Sequence, residues 1–169
     1  MMNLKNKVVK ASKIEGMFKL RSGQMSNVYF DKYRFESDPA LLKEICIELY
    51  KLIPKDTEIL AGLEMGGIPI ATVISQLSNI PTTFIRKQEK DYGTCNYAEG
   101  INMQGKKVVI IEDIVSSGGA IIEAVKKMRK DNISISEAYC VIDRESGGKE
   151  KLNEIGIKLY SLFKMSEVF

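Results

Sequence analysis

The 169-residue chain has no histidine and no tryptophan, and only three cysteines and four prolines. Lacking histidine, it has neither the commonest general base nor the commonest metal ligand, so any proton work falls to carboxylates, Lys, Tyr or the substrate. Cys46, Cys95 and Cys140 are odd in number and widely spaced. That pattern argues against a disulfide frame or a zinc site and for a reducing, cytoplasmic setting. No apolar run approaches the roughly 20 residues of a membrane span. The opening "MMNLKNKVVKASKIEG" breaks each apolar run with Lys or polar residues, unlike a signal peptide. A net charge of +3 is too small to argue for a nucleic-acid or membrane partner. With 44% hydrophobic and 28% charged residues, the composition is that of a soluble globular protein, long enough for one domain with a proper core.

No repeat, low-complexity tract or composition break divides the chain, so residues 1–169 read as a single domain. "SDPALLKEICIELYKLIP" predicts a helix: Ser37 or Asp38 caps it, Pro39 suits its first turn, and Leu42, Ile45, Leu49 and Leu52 form an apolar stripe. Short strands are expected at 58–63, 81–86, 106–112, 134–143 and 157–163. Helices are expected at about 68–77 and 118–129, with a short one before the last strand. The polar "KQEKDYGTCNYAEG" (87–100) has no consistent period and reads as a long loop. Tyr29, Phe30 and Tyr33 read as packing or interface residues. Strands alternating with helices over 58–163 call for an α/β fold, a mostly parallel sheet flanked by helices. Ligands of such sheets lie beyond the carboxyl ends of the strands, which singles out residues 64–67, 86–99, 112–120 and 143–148.

The most informative of these segments is "VVIIEDIVSSGGA" (108–120). Two adjacent carboxylates stand where the buried strand is expected to end, followed by Ser-Ser-Gly-Gly and a helix start. Open backbone N–H groups, serine hydroxyls and glycines that allow close approach suit a phosphate. The string is neither a Walker loop nor a Gly-x-Gly-x-x-Gly dinucleotide fingerprint. Acids just ahead of a phosphate cradle suit the hydroxyls of a ribose 5-phosphate. Taken alone, the same Ser-Ser-Gly-Gly also suits a capped helix with two solvated acids.

This string resembles the phosphoribosyl-diphosphate (PRPP) motif of the type I phosphoribosyltransferases. Four further stretches are similar to the orotate branch of that family: "FKLRSGQMSNVYFD" (18–31), "GGIPIA" (66–71), "IRKQEKDYGT" (85–94) and "IDRESGG" (142–148). "GLEMGGIPIA" and "KDYGT" resemble most the short, archaeal-like members. The resemblance covers roughly residues 14 to 165. It implies an N-terminal hood (1–37), a PRPP-binding α/β core (58–163) and a flexible catalytic loop. It also implies the activity: transfer of phosphoribose from PRPP to orotate, giving orotidine 5′-monophosphate and pyrophosphate.

Carried over by residue, the resemblance makes Glu112 and Asp113 the holders of the ribose hydroxyls. Ile114, Val115, Ser116, Ser117, Gly118, Gly119 and Ala120 cradle the 5-phosphate. Arg86, Lys87 and Lys90, with Tyr92, serve the PRPP diphosphate, and Lys90, Arg86 and Asp113 are the catalytic set. Ser116, Arg144 and Arg21 contact orotate. Gly66 and Gly67 form the pyrophosphate loop, with a cis peptide expected at Glu64–Met65. Mg2+ is held through PRPP and water, without an assigned protein ligand. The implied assembly is a homodimer in which each loop closes over its neighbour's site. Two positions depart from many bacterial members, Gly66 and Tyr92, where Lys and His are common.

The chemistry agrees with the residues present. Breaking the anomeric bond puts positive charge on ribose and releases a polyanion, so the catalyst needs cations more than acid–base groups. Two other readings stay open: a phosphoribosyltransferase for another base, and a PRPP-sensing regulator on the same fold.

Overall fold

A computed structural model describes residues 3–19, 23–88 and 96–168. Six strands form the central sheet: β3 (Ile59–Leu63), β4 (Thr82–Ile85), β5 (Ala98–Gly100), β6 (Val108–Val115), β7 (Glu137–Asp143) and β8 (Lys158–Lys164). Their order across the sheet is β5-β4-β3-β6-β7-β8. All neighbours are parallel except β4 and β5, which pair antiparallel at one edge. β3 is buried along its whole length, and Val108 to Ile111 of β6 are buried as well. Strands covered on both faces read in sequence as unbroken apolar runs, which is why they were predictable.

Alternate residues supply the two cores. Ile59, Ala61, Val108 and Ile110 face one side, where α5 (Gly119–Lys130) brings Ile121, Ala124, Val125 and Met128. Leu60, Val109 and Ile111 face the other, against α3 (Pro39–Tyr50) and α4 (Gly67–Ser78) through Ile45, Leu49, Ile70 and Ile74. Asp38 caps α3, accepting from the Ala40 and Leu41 N–H groups at 3.0 Å each, with Pro39 in the first turn. The helix ends at Tyr50, so Leu52 falls out of helical phase and is exposed, and Ile53 is buried instead. α4 ends on Asn79 in the left-handed region, φ 58°.

Ahead of this core lie α1 (Leu4–Ser12), an antiparallel pair of β1 (Lys13–Lys19) with β2 (Met25–Phe30), and the one-turn α2 (Tyr33–Glu36). The sequence reading assigned none of these elements. Phe30 is buried beside Phe35, whereas Tyr29 and Tyr33 are well exposed. α6 (Gly148–Glu154) precedes β8, and α7 (Met165–Val168) follows it.

Two expectations about the sheet need correction. The stretch read as a loop over 87–100 contains β5 at its far end, pinned to β4 through Thr83–Gly100, Phe84–Glu99 and Ile85–Ala98. β6 does not end at Glu112. It runs on to Val115 because Ile114 and Val115 keep pairing with Ile142 and Asp143 of β7. The acid pair therefore sits inside the strand.

Candidate active site at the carboxyl ends of the strands

Beyond β6, Glu112 and residues 114–121 line a cavity of about 170 Å³. Gly118 holds φ 75° at the start of α5, the left-handed turn that opens the loop toward the helix. Gly148 lies against this loop so closely that a Cβ there would be 2.3 Å from the Ser116 carbonyl oxygen. The Arg144 N–H donates to the Val115 carbonyl at 2.7 Å. The phosphate-cradle candidate and the 144–148 segment are thus packed backbone to backbone. Arg144 itself is exposed at the end of β7.

The next strand ends carry the 64–67 loop and the start of the basic segment. The Glu64–Met65 peptide is cis, as expected from the resemblance. Glu64 accepts from the Lys87 N–H at 2.9 Å, and its own N–H donates to the Ile85 carbonyl at 2.8 Å. Arg86 leaves β4 beside this loop, with its N–H on the Tyr97 carbonyl and its Nε buried without a partner. Arg86, Lys87, Gly66, Gly67 and the 112–120 segment therefore end on one side of the sheet, as the parallel order requires. Arg21, Lys90, Tyr92 and Cys95 lie outside the described residues.

The two acids are not equivalent. Glu112 lines the cavity, and its Oε2 is buried without a partner. Asp113 has no exposed surface. Its Oδ2 accepts from Lys32 and its Oδ1 from the Ile114 N–H. A Cβ at Gly66 would stand 1.5 Å from that Oδ2, so glycine is what lets the carboxylate lie against the loop.

The sequence reading missed Lys32 and Glu36, the N-terminal residues that complete this cluster. Burial opposes the Lys32 charge, but the hydrogen bond and attraction to Asp113 outweigh it and raise its pKa. Burial, then the charge of Asp113 and a hydrogen bond with it, push Glu36 up to about 8. Burial, followed by the charge of Asp113, holds Glu112 well above the usual carboxylate range. No local signal marks these partners, since Lys32 lies 81 residues from Asp113.

These shifts predict a pH dependence of stability. A carboxyl whose pKa is raised on folding binds more protons in the native state than in the unfolded state between the two values. Stability is then fully present below the unfolded value and falls as pH rises through the folded one. Glu36 sets the window from 4.5 to about 8, and Glu112 acts in the same direction. Asp56, Glu58, Glu123 and Glu145 have lowered values and contribute on the acid side of that window. The thermal midpoint is expected to fall between pH 5 and pH 8.5, and Glu36→Gln should flatten the slope. An unchanged slope in that variant would remove Glu36 as its cause.

A small cavity, a glycine turn at a helix start and two covered acids thus meet at the strand ends of an α/β sheet. A family model, Phosphoribosyl transferase domain, matches residues 36–159. The chain belongs to the phosphoribosyl transferase family. Within it, similar curated relatives include orotate phosphoribosyltransferases. One from Methanocella arvoryzae is 42% identical over 153 residues, spanning 90% of this chain and 87% of the relative. One from a Nocardioides species is 40% identical over 156 residues, 92% of this chain and 87% of the relative. The solved Mycobacterium tuberculosis orotate phosphoribosyltransferase superposes with a TM-score of 0.88 at 24% identity, covering 98% of this chain and 96% of that one. At that identity the likeness speaks for the fold.

Proposed function

We propose that this chain transfers the 5-phosphoribosyl group of PRPP to orotate, releasing pyrophosphate and forming orotidine 5′-monophosphate for pyrimidine biosynthesis. The observation that carries the reading is the cavity of residues 114–121 at the end of β6, with the Glu112 carboxylate in its wall. In this reading the cradle takes the 5-phosphate on backbone N–H groups and the Ser116 and Ser117 hydroxyls. Glu112 accepts from a ribose hydroxyl, and the covered charge of Asp113 favours positive charge developing on the sugar. Arg86, Lys87 and Lys90 neutralise the departing pyrophosphate beside the 64–67 loop.

Among the described residues, no group of three or more His, Cys, Asp or Glu side chains is placed to hold a metal ion. In this reading magnesium would be carried on PRPP oxygens and water and would supply charge neutralisation to the diphosphate. A cytosolic setting is part of the reading, supported by the free, buried thiols of Cys46 and Cys140. Among the described residues, no helix is long and apolar enough to cross a membrane.

The test is to mix protein, PRPP, magnesium and a panel of bases and follow pyrophosphate release. Release with orotate alone is expected. Faster release with another base would make this an enzyme for that base, and PRPP binding without turnover would make it a sensor. Arg144→Ala should weaken orotate use by roughly 1.5–3 kcal/mol, the range for a charge-assisted contact, while PRPP affinity stays nearly unchanged. Equal loss of both would put Arg144 in the PRPP half of the site.

The same reading includes a two-fold dimer whose sites each take Lys90 from one chain and Asp113 from the other, supported by the likeness of residues 85–94 to the family's catalytic loop. Mixing Lys90→Ala and Asp113→Asn chains should then restore about a quarter of wild-type activity, because half the dimers are mixed and each has one intact site. No recovery, with subunit exchange confirmed, would assign the loop to its own subunit.

A further inference from the structure

We propose that Lys32 is a substrate-contacting cation for the diphosphate end of PRPP, delivered by the N-terminal segment onto the 64–67 loop. This rests on the functional reading above and adds to it a residue from outside the strand ends. Three observations carry it. First, the Lys32 ammonium is bound to Asp113 Oδ2, the same atom that fills the space where a side chain at residue 66 would begin. The cation therefore stands at the mouth of the loop although it is attached between β2 and α2.

Second, the pair is lopsided in exposure. The Asp113 side chain is 1% accessible and that of Lys32 is 30%, so the lysine side chain keeps surface open to solvent while its partner does not. An ammonium has three donors, and Asp113 takes one of them. A lysine required only to neutralise a buried acid would need no open side.

Third, the helix start behind the loop brings no charged side chain of its own. The α4 N-terminus behind Gly66 has no side-chain cap, and its first turn contains no charged residue. Besides Asp113, Glu112 directs its unpartnered Oε2 to within 3.1 Å of where a Cβ at Gly67 would be. Glu36, also raised in pKa, lies against the same pair from α2. A diphosphate entering this corner meets carboxyl groups and open N–H groups, with Lys32 on the N-terminal segment adding positive charge from the β6 side of β3, opposite Arg86 and Lys87 after β4. Asp113 keeps that charge in place before the ligand arrives, with the centroid of the Tyr33 ring 5.0 Å from the ammonium, and the donors not taken by Asp113 would turn to phosphate oxygens.

The test titrates the full-length protein with magnesium pyrophosphate and, separately, with ribose 5-phosphate. Lys32→Gln is expected to weaken pyrophosphate binding by roughly tenfold or more, the scale of a lost charge-assisted contact, and ribose 5-phosphate binding by less than about twofold. Lys32→Arg should keep most of the pyrophosphate affinity. Because a neutral residue at 32 strands a buried carboxylate, a second comparison sets Asp113→Asn against the double variant Lys32→Met with Asp113→Asn. The single variant retains the ammonium and should bind pyrophosphate more tightly than the double. Unchanged pyrophosphate affinity in the Lys32 variants, or equal loss of both ligands, would overturn the proposal and leave Lys32 a purely structural partner. Wild-type protein that binds neither PRPP nor pyrophosphate would instead overturn the functional reading, and this proposal with it.

Discussion

Asp113→Asn is expected to lower turnover about a hundredfold or more while leaving the fold in place. The carboxylate is buried, yet it lies against the 64–67 loop, which the proposed reading assigns to the diphosphate. A fixed negative charge there costs little reorganisation when positive charge grows on the ribose, and removing one such preorganised group typically costs 10²–10³ in rate. Asparagine keeps the shape and can still accept from the Ile114 N–H, so the structural bond survives. Asp113→Ala should do more damage, because Lys32 then loses the partner that offsets its burial. Breaking a fully buried pair costs about 3–5 kcal/mol, and the partial exposure of Lys32 places the loss below that range. Steady-state rates and urea unfolding on both variants separate the effects. Wild-type turnover in the Asn variant would show that the charge of Asp113 serves only to seat Lys32.

Gly67→Ala is expected to destabilise the protein by about 3 kcal/mol or more, at the upper end of overpacking costs. A Cβ at this position would stand 2.2 Å from the carbonyl oxygen of Ile111. That oxygen belongs to β6, which is held on one side by β3 and on the other by β7, so the strand cannot step aside. The first turn of α4 must lift instead, which pulls Ile70 and Ala71 out of a closed core. Gly119→Ala is the control. Its φ is not in the left-handed region and the nearest atom is Ser117 Oγ at 3.7 Å, so stability should stay within about 0.5 kcal/mol. A lowered urea midpoint with an unchanged denaturant slope is the expected signature for Gly67→Ala. Equal stability of the two variants would mean that the α4–β6 contact is looser than it stands here.

What could be read in the sequence follows from which interactions are local. β3 and the first half of β6, Val108 to Ile111, were legible because strand stretches buried on both faces leave no polar residue in the run. The phosphate cradle was legible because open N–H groups, small residues and a helix start are adjacent in the chain. The β1–β2 pair was not: β1 exposes most of its residues and shows no alternation to detect. β5 is three residues long and is defined by its partner, so no periodicity could find it. The run of β6 past Glu112 was hidden by its two charges, which mimic a strand end until Lys32 is seen covering Asp113. Lys32 and Glu36 themselves carry no mark in "DKYRFES", because their role exists only once the N-terminal segment folds onto β6.

The seam between Gly148 and Ser116 has a further consequence, for the order of binding. Two segments in backbone contact, tied also by Arg144 to Val115, are expected to open together. The entropy of ordering them is spent once. A ligand that orders residues 116–120 should then leave the 144–148 segment partly ordered for a second ligand, whose binding would tighten without any change of shape. Hydrogen exchange would record this as Gly118 and Gly148 amides slowing together when phosphate occupies only the first loop.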